Sequence, residues 1–196
     1  DPDAIHWIMP RDGWMLDRKN TQADISFFND TLGAQALQFE AIASAHSVDD
    51  LFDRLEASGV LLRLDTKVKP KMFHGATVSQ AELAKLRLVK NVVRMGRVKS
   101  IGLNEIQLDR GAIPTGPGLV HVDCSASAIT NLEPTAIFQG DMIIPQTVRS
   151  YQPVFSAALI AHIELVKKTE KEKNALCSVV PLPNHDTDWI RLMIPF

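Results

Sequence analysis

Arg11 and Asp12 are the first residues whose placement suggests chemistry. They follow the apolar run Ile5-His6-Trp7-Ile8-Met9, which Pro10 stops. A short β-branched and aromatic run reads as a buried strand, and Arg11-Asp12-Gly13 as the loop after it. In dinucleotide-binding folds the loop after the second strand faces the adenosine ribose. An arginine there can accept a 2′-phosphate with two parallel N–H donors. Asp12 could take a ribose hydroxyl, or pair with Arg11 as an ordinary solvated loop ion pair. A second place is Cys124-Ser125-Ala126, at the end of the run Leu119-Val120-His121-Val122-Asp123. Small residues at a strand's carboxyl end allow a ligand close to the backbone. A buried strand end with no ligand reads equally well.

The glycines set a limit on what the chain can hold. There are ten, at positions 13, 33, 59, 75, 96, 102, 111, 116, 118 and 140. A dinucleotide pyrophosphate needs glycine for close backbone approach and free N–H groups at a helix N-terminus. The sole Gly-x-Gly is Gly116-Pro117-Gly118, with His121 where a third glycine would stand. It precedes a predicted strand rather than a helix, and Pro117 has no N–H to offer. No Gly-Lys pair encodes a phosphate loop. The chain alone is therefore expected to retain neither FAD nor a nicotinamide dinucleotide.

Other chemistries find little support. The six histidines, at 6, 46, 74, 121, 162 and 185, show no metal-ligand spacing. His162 lies beside an apolar helix face near Glu164, where a structural role competes with a catalytic one. Ser125 and Ser127 sit in no Gly-x-Ser-x-Gly elbow. Cys124 and Cys177 form no Cys-x-x-Cys pair, so neither a redox dithiol nor a zinc knuckle is encoded. No catalytic residue and no metal ligand is assigned.

Composition bounds the class. The 196 residues are 45% hydrophobic and 22% charged, enough for a buried core. The net charge of -2 and a pI near 6.3 argue against general nucleic-acid binding. No apolar run approaches the roughly 18 residues of a membrane span. A reducing cytoplasm fits the sparse cysteines. The opening Asp1-Pro2-Asp3-Ala4 enters an apolar stretch almost at once, which leads us to expect part of a longer polypeptide.

The elements that must position these residues follow from periodicity. Ile25, Phe28, Leu32, Phe39 and Ile42 recur in steps of three and four, with Gln35 filling the missing place, and predict an amphipathic helix over 23–45. A second helix starts at the cap Ser47, with Asp49 and Asp50 in its first turn, and ends at Gly59. Its apolar face is Val48, Leu51, Phe52 and Leu55. A third starts at Ser79, where Glu82 completes a capping box and Val78 with Leu83 a hydrophobic staple. The period then changes: 92–95, 98–101, 105–108 and 119–124 read as strands, separated by turns at 102–104 and 109–111. A last helix covers 154–168, with Phe155, Leu159, Ile160, Ile163 and Val166 on one face, and 167–173 reads as a solvated charged tail.

Three segments carry a resemblance. They are the run from His6 through Pro10-Arg11-Asp12-Gly13-Trp14 to Asp17-Arg18; the run from Val93-Arg94-Met95-Gly96-Arg97 through Leu108-Asp109-Arg110-Gly111 to Cys124-Ser125-Ala126; and Gln152-Pro153-Val154-Phe155 through His162-Ile163-Glu164. Together they resemble the C-terminal half of bacterial FAD/NAD(P)-binding oxidoreductases, relatives of the flavin-monooxygenase and pyridine-nucleotide-disulfide-reductase superfamily. The resemblance implies a fold between α/β and α+β. Partial dinucleotide-binding lobes would carry a helical section over about 23–90 and a strand-rich block over about 92–124. It implies two parts: 1–91 from a nicotinamide lobe plus helical section, and 92–196 from an FAD lobe. Arg11 and Asp12 would face the nicotinamide ribose, and Cys124, Ser125 and Ala126 would approach the flavin. Cofactors would be FAD and NAD(P)H in the longer parent. The partner would be the parent's own N-terminal part, with an unspecified small-molecule substrate and room for a homo-oligomer. The rival reading is a free-standing interaction or scaffolding module without catalysis.

Overall fold

The computed structural model describes residues 1–22, 24–125, 133–149 and 152–180. These fall into two compact units, Asp1–Asp123 and Cys124–Phe196. Helices mix with small sheets in both, which agrees with the expected class. The division does not follow the expected boundary after residue 91. That boundary would cut a sheet, because β1 (His6–Ile8) pairs in parallel with the strand at Asn91–Val93.

In the first unit, β2 (Met15–Asp17) leads through a 3₁₀ turn (Arg18–Thr21) and a second turn (Ile25–Phe27) into α1 (Phe28–Ser44). Then come α2 (Val48–Ala57), β3 (Leu61–Leu62), β4 (Thr77–Val78), α3 (Gln80–Leu86) and β5 (Asn91–Val93). β2 sits between β3, antiparallel, and β4, parallel. Met9, Leu64, Val78 and Leu83 form a core beneath these strands, with Trp7, Met15, Leu62, Leu86 and Val92 against it.

The starts of α2 and α3 hold as read, whereas α1 begins at Phe28 and not at 23. Ser47 Oγ accepts the N–H of Asp50, and Ser79 with Glu82 forms the reciprocal capping box. Ser79→Ala should destabilise by about 0.5–2 kcal/mol. The Ser79 N–H, and then the Arg18 guanidinium, hold the Glu82 carboxyl down to about 2. A depressed carboxyl stabilises above its unfolded value and loses that contribution as pH falls through the folded one. The difference in urea midpoint between wild type and Glu82→Gln should therefore be full at pH 7 and shrink between pH 4.5 and 2. A difference constant across that window would contradict the cap.

One face is not where its spacing suggests. Ile25, Phe28, Leu32 and Phe39 are exposed, and α1 buries Ala34 and Ala41 instead. The small alanines let the helix pack closely on α2 and on the turn at Arg18–Thr21.

After β5 the chain builds a three-stranded antiparallel meander: β6 (Val98–Ile101), β7 (Glu105–Leu108) and β8 (Gly111–Pro114). Only β7 is clearly two-faced, burying Ile106 and Leu108 while Glu105 and Gln107 face out. The strand expected over 119–124 does not form. Leu119, Val120 and Val122 are exposed there. An apolar alternation makes a strand only where a neighbouring strand takes up its N–H and C=O groups, and no described strand pairs with this stretch.

The second unit has a hairpin of β9 (Phe138–Gln139) and β10 (Met142–Ile143), followed by α4 (Pro153–Val166) and α5 (Glu170–Leu176). Ile137, Phe138, Ile160, Ile163 and Cys177 are its core. Of the predicted α4 face, Phe155 and Val166 remain exposed. α5 lies in the stretch read as a solvated tail. Thr169 and Glu172 cap it with a second capping box, and Asn174 binds both the N–H and the C=O of Phe138. Among the described residues no helix is long and apolar enough to cross a membrane.

Candidate functional site

The carboxyl ends of β1 and β5 bring sequence-distant residues together. The two strands run in register, Ile8 beside Val93, and the Met9 N–H donates to the Val93 carbonyl at 2.9 Å. Their exits therefore lie side by side: Pro10-Arg11-Asp12-Gly13 from one, Arg94-Met95-Gly96-Arg97 from the other. The carboxyl edge of parallel strands is where open α/β sheets place ligands.

Asp12 is committed to that junction. Arg94 donates to both of its carboxylate oxygens, Nε to Oδ2 at 2.8 Å and Nη2 to Oδ1 at 3.0 Å. The Asp12 side chain is only 10% exposed. Arg94 also reaches Asp65 at 3.4 Å. These carboxylates, Asp12 first, push the Arg94 guanidinium further up. The Asp12 carbonyl accepts the Lys71 N–H at 3.2 Å, which fixes the loop backbone. Asp12 is therefore paired with Arg94 and not with Arg11. Arg11 itself is exposed and has no hydrogen bond or ion pair among the described residues.

The β5 exit is equally fixed. Gly96 takes φ +90°, and a Cβ there would lie 2.5 Å from Asp109 Cβ. Asp109 Oδ2 accepts the Arg97 N–H at 2.7 Å, and that bond holds the carboxyl below its ordinary range, with Lys99 adding to it. Arg110 donates to the Arg94 carbonyl. The arginine-rich segment is thus a tight brace between β5 and the meander. Sequence reasoning missed Arg94 as the partner of Asp12. Its only signal was an arginine at the end of a second apolar strand.

The other three expected residues, Cys124, Ser125 and Ala126, belong to the second unit. Cys124 and Ser125 are in exposed irregular chain and Cys124 is a free thiol. Ala126 falls outside the described residues. His162 is exposed on α4.

A cleft of about 260 Å³ in the first unit was not foreseen. Asp17, Lys19, Asn29, Asp30, Gly59 and Gln80 contribute to its lining. Asp17 is buried; its oxygens accept the Lys19 N–H at 3.2 Å and the Gln80 amide at 2.7 Å. A carboxylate closing the apolar strand Met15-Leu16-Asp17 was the available clue. Its bonds cap the turn at Arg18–Thr21, so its first role is structural. Among the described residues no three histidine, cysteine or acidic side chains converge as a metal site.

No protein-family model matches the chain. It is similar to uncharacterized proteins of Mycobacterium tuberculosis and Mycobacterium bovis, 44% identical over 192 residues. The alignment covers 98% of this chain but 36% of each relative. The chain thus spans little more than a third of the length of the curated relatives it matches. No solved structure matches it.

Proposed function

We propose that this chain is the C-terminal portion of a flavin-dependent NAD(P)H oxidoreductase, inactive when separated from the rest. The observation that carries the reading is Arg11, exposed and without an ion pair among the described residues, at the carboxyl edge of a parallel strand pair. A planar guanidinium meets a phosphate with a fork of donors, and its nearest sequence neighbour of opposite charge, Asp12, is taken by Arg94. The residues present therefore fit a 2′-phosphate better than a ribose diol. Bound flavin and nicotinamide would supply the hydride chemistry; the protein's part is binding and orientation. Arg11 would hold the ribose phosphate, and the Asp12–Arg94 pair would keep its loop in place.

The polypeptide encoded by the whole reading frame is the material to test. A charge-assisted contact contributes roughly 1.5–3 kcal/mol, about 10- to 150-fold in affinity. Arg11→Ala should raise the KM for NADPH by that factor and leave NADH nearly unchanged, measured side by side at one ionic strength. Equal loss with both cofactors, or no flavin absorbance in the desalted wild type, overturns the reading.

A further inference from the structure

We propose that α1 is the seat for a helix from the polypeptide that this chain lacks and its relatives carry. Phe28, Leu32, Gln35, Phe39 and Ile42 follow one another in steps of four, three, four and three. That is the spacing of a seam that packs against another helix. Ile25 extends it at the N-terminal end. The seam is open: Ile25 is 82% exposed, Phe28 53%, Leu32 47% and Phe39 50%. α1 packs on its own unit through Ala34 and Ala41, and Ile42 at the end of the seam is half-buried, so the open part of the seam is Phe28, Leu32 and Phe39.

A row of large apolar groups on one face differs from scattered surface leucines; contiguous patches mark interaction sites. Gln35 stands mid-seam, where a single polar residue fixes register at some cost in stability. The 17 residues of α1 give a stripe of roughly 25 Å, long enough for a partner helix of several turns. The occupant follows from length. The relatives match this chain almost end to end, yet most of their own sequence lies outside the match. That additional polypeptide is covalently attached and so present at high effective concentration. A second copy, which is not covalently attached, would have no such advantage in concentration.

Thiol accessibility tests this without reference to any cofactor, so its failure and that of the flavin reading are separable. In a Cys124→Ser background, place Phe28→Cys, Leu32→Cys or Phe39→Cys, with Lys67→Cys as the exposed control. Compare maleimide labelling rates in the 196-residue chain and in the product of the whole reading frame. The seam positions should label as fast as the control in the short chain and at least about tenfold slower in the long one. In parallel, Leu32→Lys should leave the unfolding midpoint of the short chain unchanged and lower that of the long one. Fast labelling in both, protection already present in the short chain, protection that grows with short-chain concentration, or a reading frame no longer than this chain would each overturn the proposal.

Discussion

Trp14→Ala should lower the stability of the first unit by about 3–5 kcal/mol. Trp14 is 1% exposed and heads the fully buried side chains in volume. Its indole stacks on Phe52 at 5.5 Å and 10°, and Phe52 meets Phe73 edge-on at 6.2 Å. The Arg63 guanidinium lies over the indole at 5.7 Å, itself held by both Glu56 oxygens. The Trp14 N–H donates to the Met72 carbonyl at 2.7 Å, so backbone and ring together tie the segment around 72–73 to α2. Truncation would remove the burial and leave a cavity between a helix and a loop too constrained to collapse. Chemical denaturation gives the loss, and hydrogen exchange of the α2 amides assigns it to the first unit. Trp14→Phe should recover part of it. A loss below about 1 kcal/mol would show that the site relaxes and that the aromatic stack is not the centre of this unit.

Gly96→Ala should cost about 2–4 kcal/mol, combining left-handed backbone strain with a steric overlap. The overlap is with Asp109, which cannot swing aside without releasing the Arg97 N–H. Gly33→Ala is the contrast. Gly33 lies inside α1 with nothing within 4 Å of an added Cβ, and the same substitution there should stabilise by about 0.5–1 kcal/mol. Opposite signs from one chemical change would separate backbone conformation from any general intolerance. Two losses of similar size would remove the argument about φ.

Helix starts were legible because they are local. Ser47, Ser79 and Glu82 act within four residues of themselves, and a capping box is written in consecutive sequence. The same signature, Thr169 with Glu172, was present and went unread because charge density suggested a solvated tail. Strand partners were not legible. The pairing of β1 with β5 joins residues more than eighty apart, and a three-residue strand carries no mark of its neighbour. The α1 seam shows the opposite limit. Its period correctly gives a helix, but period alone cannot say whether the apolar side meets its own unit; the alanines at 34 and 41 decide that. At the site, Arg11 and Asp12 were visible as a pair of charges after a strand. That one is tied and the other free depends on Arg94, brought in by the fold.

The meander has two rims. β6 and β8 each pair with β7 and with no other described strand, so each presents backbone N–H and C=O groups to whatever approaches. Unpaired rims of this kind template growth from one molecule to the next. Here the pairing of β6 is broken by a bulge between Val98 and Ser100, with the ammonium side chain of Lys99 inside it. β8 is four residues long and ends at Pro114, which has no N–H to give. Each rim is thus blunted by its own residues. Resistance to fibre-like stacking at this sheet is a local property of the hairpins, and it persists whenever the segment is exposed, including while the polypeptide is still being made.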